Sequence, residues 1–133
     1  MATDYDMIVI GAGPGGYVAA IRGAQLGLKV AIIEREHMGG ICLNWGCIPT
    51  KAMLRSSEIF HLMHRASEFG LSVDKINFDL EAVVKRSRGV ASKLNSGISH
   101  LLKKNKIDVL MGNASITAKN TVTVETDKGM KKL

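Results

Sequence analysis

The hexapeptide GAGPGG, residues 11 to 16, constrains this chain more than any other feature. A short apolar run, Met7 to Ile10, enters it, and a helical pattern leaves it from Gly15 to Leu26, with Gly27 placed as a left-handed cap. A second apolar run, Lys29 to Ile33, follows and ends at Glu34. Apolar runs bounded by glycine read as buried strands, and strand, helix, strand in this compass is a parallel, right-handed βαβ unit. The fold class expected is therefore α/β, with a Rossmann-like parallel sheet and flanking helices.

Inside the hexapeptide, Gly11, Gly13 and Gly16 form the pattern GxGxxG, with Pro14 and Gly15 at the opening of the helix. Gly11 permits the tight turn, Gly13 lets backbone approach a pyrophosphate, and Gly16 allows the helix to lie close on the strand. The helix N-terminus offers N–H groups and partial positive charge to phosphates. Glu34 stands near the spacing of about 20 residues at which an acid accepts hydrogen bonds from an adenosine ribose. The plainer reading is a ligand-free turn with a solvated Glu34. The coincidence of strand, helix and acid favours a dinucleotide, without distinguishing FAD from NAD.

Composition narrows the partners. A chain of 133 residues with 46% hydrophobic content suits one soluble domain or part of one. Residues 1 to 50 carry three Lys/Arg against four Asp/Glu, and residues 51 to 133 carry fifteen against eight. That positive excess is scattered and lacks the aromatic interleaving of single-strand binding, so nucleic acid is not an expected partner. No apolar run reaches membrane-spanning length, and the opening MATDYD is acidic where a signal peptide is basic. The expected compartment is a reducing cytosol, where purely structural disulfides rarely persist.

Both cysteines lie in GGICLNWGCIPTK, residues 39 to 51, separated by four residues. As zinc ligands Cys42 and Cys47 have only His37 as a near neighbour of the right type, which leaves the site incomplete. As buried filler they would be inert, yet they lie in a loop with Asn44 and Gly46. Pro49 is expected to begin a helix, with Cys47 just ahead of it and Lys51 one turn on, an arrangement that favours a thiolate. A redox-active pair fits these residues best.

With these residues in view, GGICLNWGCIPTKAML closely resembles the active-site segment of the pyridine nucleotide disulfide oxidoreductases, and YDMIVIGAGPGGYVAAIRGAQLGLKVAIIE resembles their opening FAD-binding unit. The resemblance is strongest to the branch that oxidises dihydrolipoyl groups within the 2-oxo acid dehydrogenase complexes. It implies that residues 1 to 133 are the N-terminal segment of an FAD-binding domain, unfinished at its C-terminal end. A NAD-binding domain, an interface domain with a His/Glu base, and a homodimeric parent would complete the enzyme.

By position, the resemblance implies FAD contacts from Gly11, Gly13, Pro14, Gly15, Gly16, Glu34, Arg35, Gly40 and Cys42, with Gly112 and Ala114 on the adenosine side. Lys51 would lie beside the flavin ring, Cys47 would face it as a thiolate, and Cys42 would be the exposed interchange thiol. In the family's direction of work, a dihydrolipoyl thiolate attacks Cys42, and electrons pass from Cys47 through FAD to NAD. The isolated chain is expected not to turn over. Glutathione, trypanothione and mercuric reductases share both motifs and form the nearest alternative, and a noncatalytic FAD-binding module is the alternative from another class.

In the remainder, a helix is expected through Leu54, Ile59, Met63 and Ala66 toward Gly70. A second is expected from an Asp79 N-cap to about Lys104, with an apolar stripe of Leu80, Val84, Ala91, Leu94, Ile98 and Leu101. Strand-like runs follow at Ile107 to Met111 and Thr121 to Glu125. TDKGMKKL then reads as a hairpin whose return strand does not arrive. His61 and His64 are read as solvated helix residues, with no metal expected, and Trp45 as packing against the loop or the flavin.

Overall fold

A computed structural model describes residues 4 to 133; residues 1 to 3, the first half of the acidic opening, lie outside the described residues. The βαβ unit forms as expected, from β1 (Met7–Ile10), α1 (Pro14–Gln25) and β2 (Val30–Glu34). After α1 the chain reverses at Gly27, whose φ of +90° is the left-handed conformation expected there. The crossover to the next parallel strand passes through α2 (Gly40–Asn44), α3 (Cys47–His64), a 3₁₀ turn (Ala66–Phe69) and α4 (Leu80–Lys104) before β3 (Asp108–Met111). The sheet order is β1-β2-β3, with β2 central and all strands parallel.

Because side chains alternate along a strand, β2 feeds two cores. Val30 and Ile32 pack with Ala20, Leu43, Ile98 and Leu102 under the helices. Ala31 and Ile33 pack with Leu110, Val124 and Leu133 on the opposite face. Ile32 and Ile33 are fully buried, each worth about 1.5–3 kcal/mol relative to exposure. The helical layer thus covers one face of the sheet, and strands cover the other.

Those strands are β4 (Asn113–Ala118), β5 (Thr121–Thr126) and β6 (Gly129–Lys132), an antiparallel meander. This corrects the expected hairpin ending. The return strand does arrive: β6 pairs along β5, and Leu133 exchanges two backbone hydrogen bonds with Val122. The strand β4 was not expected. NASITA does alternate polar and apolar residues, but its apolar members are two alanines and an exposed Ile116, too weak a signal alone, and the strand forms because β5 pairs with it.

Asp79 caps α4 as expected, its carboxylate accepting from the Ala82 N–H at 3.0 Å. The buried stripe of α4 is Ser87, Ala91, Ile98 and Leu102. Of the residues expected on it, Ala91 and Ile98 are buried, and Leu80 and Val84 share its phase, five turns before Ile98 and Leu102, but remain exposed. Leu94 and Leu101 lie to one side of that stripe and are exposed, whereas Leu80 and Val84 lie on it in the first turns of α4, which the core does not cover. Near β1, the Tyr5 hydroxyl donates to Asp108 Oδ2 at 2.8 Å, joining the chain's start to β3. Burial, with help from that bond, pushes the Tyr5 phenol up to about 12.

Candidate functional site

The glycine loop lies at the carboxyl ends of the parallel strands, where α/β sheets hold their ligands. Gly11 turns the chain with φ +96°, and its N–H donates to the Ile33 carbonyl at 2.7 Å. A Cβ at Gly16 would collide with the Gly11 carbonyl oxygen, so the helix-to-strand approach demands glycine there. A Cβ at Gly13 would meet nothing within 4 Å. The space beside Gly13 is therefore open, as close approach by a pyrophosphate requires. Pro14 and Gly15 are exposed at the start of α1, and no side chain caps the helix, which leaves its first turn available to an anion.

Glu34 does more than end a strand. Its Oε2 accepts from the Ala12 N–H at 2.8 Å, and its Oε1 accepts from the N–H groups of Arg35 and Glu36 at 2.9 and 3.0 Å. These bonds tie the glycine loop to the end of β2 and hold the carboxylate still. Its oxygens retain lone pairs for further donors. The Glu34 carbonyl accepts from the Gly112 N–H at 2.8 Å, which brings the start of the meander to the same place. Gly112 has φ +155°, and a Cβ there would strike the Glu125 carbonyl oxygen.

A cleft of about 380 Å³ results, lined by Gly11, Glu34, Arg35, Gly40, Gly112 and Ala114, all six singled out from sequence. Ile10 and Asn113 line it as well and were not foreseen there, although Asn113 is flanked by two residues that were; Trp45, expected to pack against the loop or the flavin, also lines it. Trp45, about half exposed, meets His37 edge to face, with ring centroids 5.0 Å apart. Gly13, Pro14, Gly15, Gly16, Cys42, Cys47 and Lys51 lie outside this cleft's lining.

The cysteine loop is fastened onto the glycine loop. The Gly39 N–H donates to the Ala12 carbonyl at 2.9 Å. Gly40, at φ +58°, lies so close that a Cβ on it would come 2.8 Å from Gly13 Cα. From there α2 carries Cys42, and Gly46 brings the chain back against it to start α3. Cys42 and Cys47 are joined as a disulfide, with Cα atoms 4.8 Å apart. Cys47, not Pro49, is the first residue of α3; proline fits anywhere in the first turn, where its missing N–H is no loss.

Cys47 and Lys51, four residues apart, share one face of α3, and both are exposed. Cys42 is half-buried, because Leu43 anchors α2 in the helical core. Cys47 is thus the more exposed residue of the pair, where the resemblance implied an exposed Cys42. His61 and His64 are exposed, and the His64 ring bonds to the Phe60 carbonyl at 2.9 Å. Among the described residues, no group of three or more His, Cys, Asp or Glu could hold a metal.

Sequence reasoning missed the residues that fasten the loop from α4. Asn95 Nδ2 donates to the Met38 carbonyl at 2.5 Å and to Asn44 Oδ1 at 3.1 Å. Asn44 Nδ2 donates to the carbonyls of Met38 and Gly40, and Arg88 donates to the Asn44 carbonyl at 3.0 Å. One signal was present: Asn95 sits between Ala91 and Ile98 at the spacing of the buried stripe, a polar residue where packing alone would place an apolar one.

Comparison with known proteins agrees with this geometry. A family model described as pyridine nucleotide-disulphide oxidoreductase matches residues 5–132. A dihydrolipoyl dehydrogenase of Zymomonas mobilis is 55% identical over 133 residues, all of this chain and 28% of that protein. One from Rhizobium etli is 58% identical over 125 residues, 93% of this chain and 26% of the relative. Among solved structures, a copper(II) complex of the HOCl-induced flavoprotein disulfide reductase RclA from Escherichia coli superposes with a TM-score of 0.79 at 26% identity. That match covers 98% of this chain and 26% of the other. The chain thus spans little more than a quarter of the length of these relatives.

Proposed function

Because the chain belongs to the pyridine nucleotide-disulphide oxidoreductase family, we propose that residues 1 to 133 are the N-terminal segment of the FAD-binding domain of a dihydrolipoyl dehydrogenase. One observation carries the reading: Gly40 packs on Gly13, so the disulfide loop begins where the dinucleotide loop ends. A cofactor seated along the glycine loop would then lie next to the disulfide.

The residues fit FAD. The open space at Gly13 and the uncapped start of α1 suit the pyrophosphate, and Glu34 suits the adenosine ribose. Arg35, Gly40, Gly112 and Ala114 wall the cleft on the adenosine side. Bound FAD supplies a two-electron acceptor between a dithiol and NAD.

The chain's own residues account for the thiol chemistry. A dihydrolipoyl thiolate attacks the Cys42 sulfur; a mixed disulfide forms, the Cys42–Cys47 bond breaks, and Cys47 leaves as a thiolate. Its position at the first turn of α3, with Lys51 on the same face, stabilises that negative charge. The substrate's second thiolate then attacks its own first sulfur, which closes the lipoyl ring and releases Cys42 as a thiolate. The cysteine pair now holds the two electrons the substrate has lost. A flavin lying against Cys47 would cover that exposed residue and leave Cys42 as the one a substrate reaches. The NAD-binding domain, the base and the homodimer interface belong in this reading to the rest of the parent, a component of the 2-oxo acid dehydrogenase complexes.

The test adds FAD, removes the unbound cofactor, and partially reduces the disulfide without oxygen. The expected result is retained flavin with a new long-wavelength absorbance that survives Cys42→Ser and disappears in Cys47→Ser. Loss of the flavin, or the same absorbance in Cys47→Ser, would overturn the reading.

A further inference from the structure

Within α4, Asn95 is half-buried on a helix face otherwise made of Ser87, Ala91, Ile98 and Leu102. Its amide has a specific employment. It reaches across 57 residues of sequence to the Met38 carbonyl and across 51 to the Asn44 side chain, which itself holds the carbonyls of Met38 and Gly40. Arg88, two turns earlier, holds the Asn44 backbone carbonyl. Asn44 ends α2, the short helix that carries Cys42, and lies between the two cysteines.

We propose that Asn95, through Asn44, is a positioning residue that keeps the turn between the cysteines in place when the disulfide is open, and so sets how readily the pair closes again. This rests on the redox reading of Cys42 and Cys47. The physical reason lies in the reduced state. Once the sulfur–sulfur bond is broken, only the backbone of Trp45 and Gly46 joins α2 to the start of α3, while the bonds from α4 do not depend on the cross-link. Two thiols held at a fixed separation close with a higher effective concentration than two thiols on a loose loop. A firm clamp therefore favours the disulfide, and a broken clamp favours the dithiol.

The experiment equilibrates the chain with reduced and oxidised glutathione. A glutathione thiolate attacks one protein sulfur and frees the other, and a second glutathione then attacks the mixed disulfide. The protein gains two electrons and two protons, and the two glutathiones leave joined as their disulfide. For Asn95→Ala the expected shift is about tenfold toward the dithiol, equivalent to about 30 mV. Arg88→Ala, at an exposed position, is expected to shift it about threefold in the same direction. It also serves as the second variant should Asn95→Ala fold poorly. Ser96→Ala, whose hydroxyl bonds only within α4 to the Ser92 carbonyl, is the control and is expected to leave the equilibrium within twofold of the parent chain.

Constants for Asn95→Ala and Arg88→Ala within twofold of the unsubstituted chain would overturn the clamp while leaving the redox reading intact. Failure of the unsubstituted disulfide to exchange at all would overturn both. A fall in melting temperature without a shifted constant would make Asn95 merely structural and would also overturn the clamp.

Discussion

The glycine loop and the cysteine loop touch at Gly13 and Gly40, yet they are held by different means. The glycine loop is fixed by near neighbours in sequence and by the strands it joins. Gly16 presses on Gly11, and Glu34 accepts three backbone N–H groups at the end of β2. The cysteine loop is fixed by its own disulfide and, from 51 residues away, by Asn95 of α4. A rigid backbone cradle suits a ligand that is bound and kept. A loop held by one exchangeable covalent bond and a set of side chains suits a site whose covalent bond must open.

Substitutions can break this contrast or sharpen it. Gly16→Leu is expected to have the largest effect, because its side chain would displace α1 from the Gly11 carbonyl. Urea denaturation should show a loss of about 4 kcal/mol or more. Glu34→Ala comes next. It strands three donors at the loop and should cost about 2–3 kcal/mol in the same measurement, with Glu34→Gln recovering part of the loss because an amide oxygen still accepts. Asp79→Ala removes the N-cap of α4 far from both loops. A loss of about 1 kcal/mol is expected with no change in the glutathione equilibrium, which separates helix stability from loop position.

The smallest effect is a pH dependence at the sheet. The Tyr5 phenol, ordinarily at 10, is raised to about 12 in the folded chain, so the folded state keeps its proton after the unfolded state has lost it. The contribution is complete below pH 10 and disappears as the pH rises through about 12. Tyr5→Phe should flatten that decline in a series of denaturation curves. An unchanged decline would assign it to other groups.

The same contrast governs how much could be read from the sequence. The glycine loop, α1, β2 and Glu34 were legible because their determinants are local: a turn that needs glycine, a helix that needs a cap, a strand that is apolar throughout. The cleft residues Gly112 and Ala114, by contrast, came from resemblance, since nothing in a run such as MGNAS announces that it folds back onto β2. The fixing of the cysteine loop was illegible for a related reason. Asn95 falls on the stripe between Ala91 and Ile98, but nothing local tells that its amide reaches Met38 and Asn44, more than 50 residues away in sequence. The strand β4 was missed because its apolar positions are two alanines and an exposed Ile116, and its order comes from pairing with β5.

The most direct test of the account uses Trp45, the single tryptophan, which lines the cleft next to the cysteine loop. Its fluorescence would be titrated with FAD, with ADP and with riboflavin. A saturable change with FAD and ADP, absent with riboflavin and abolished by Gly13→Leu, is the predicted result, since the proposed function has this chain hold the adenosine and pyrophosphate half. No saturable change with FAD or ADP, or an equal response in Gly13→Leu, would contradict it.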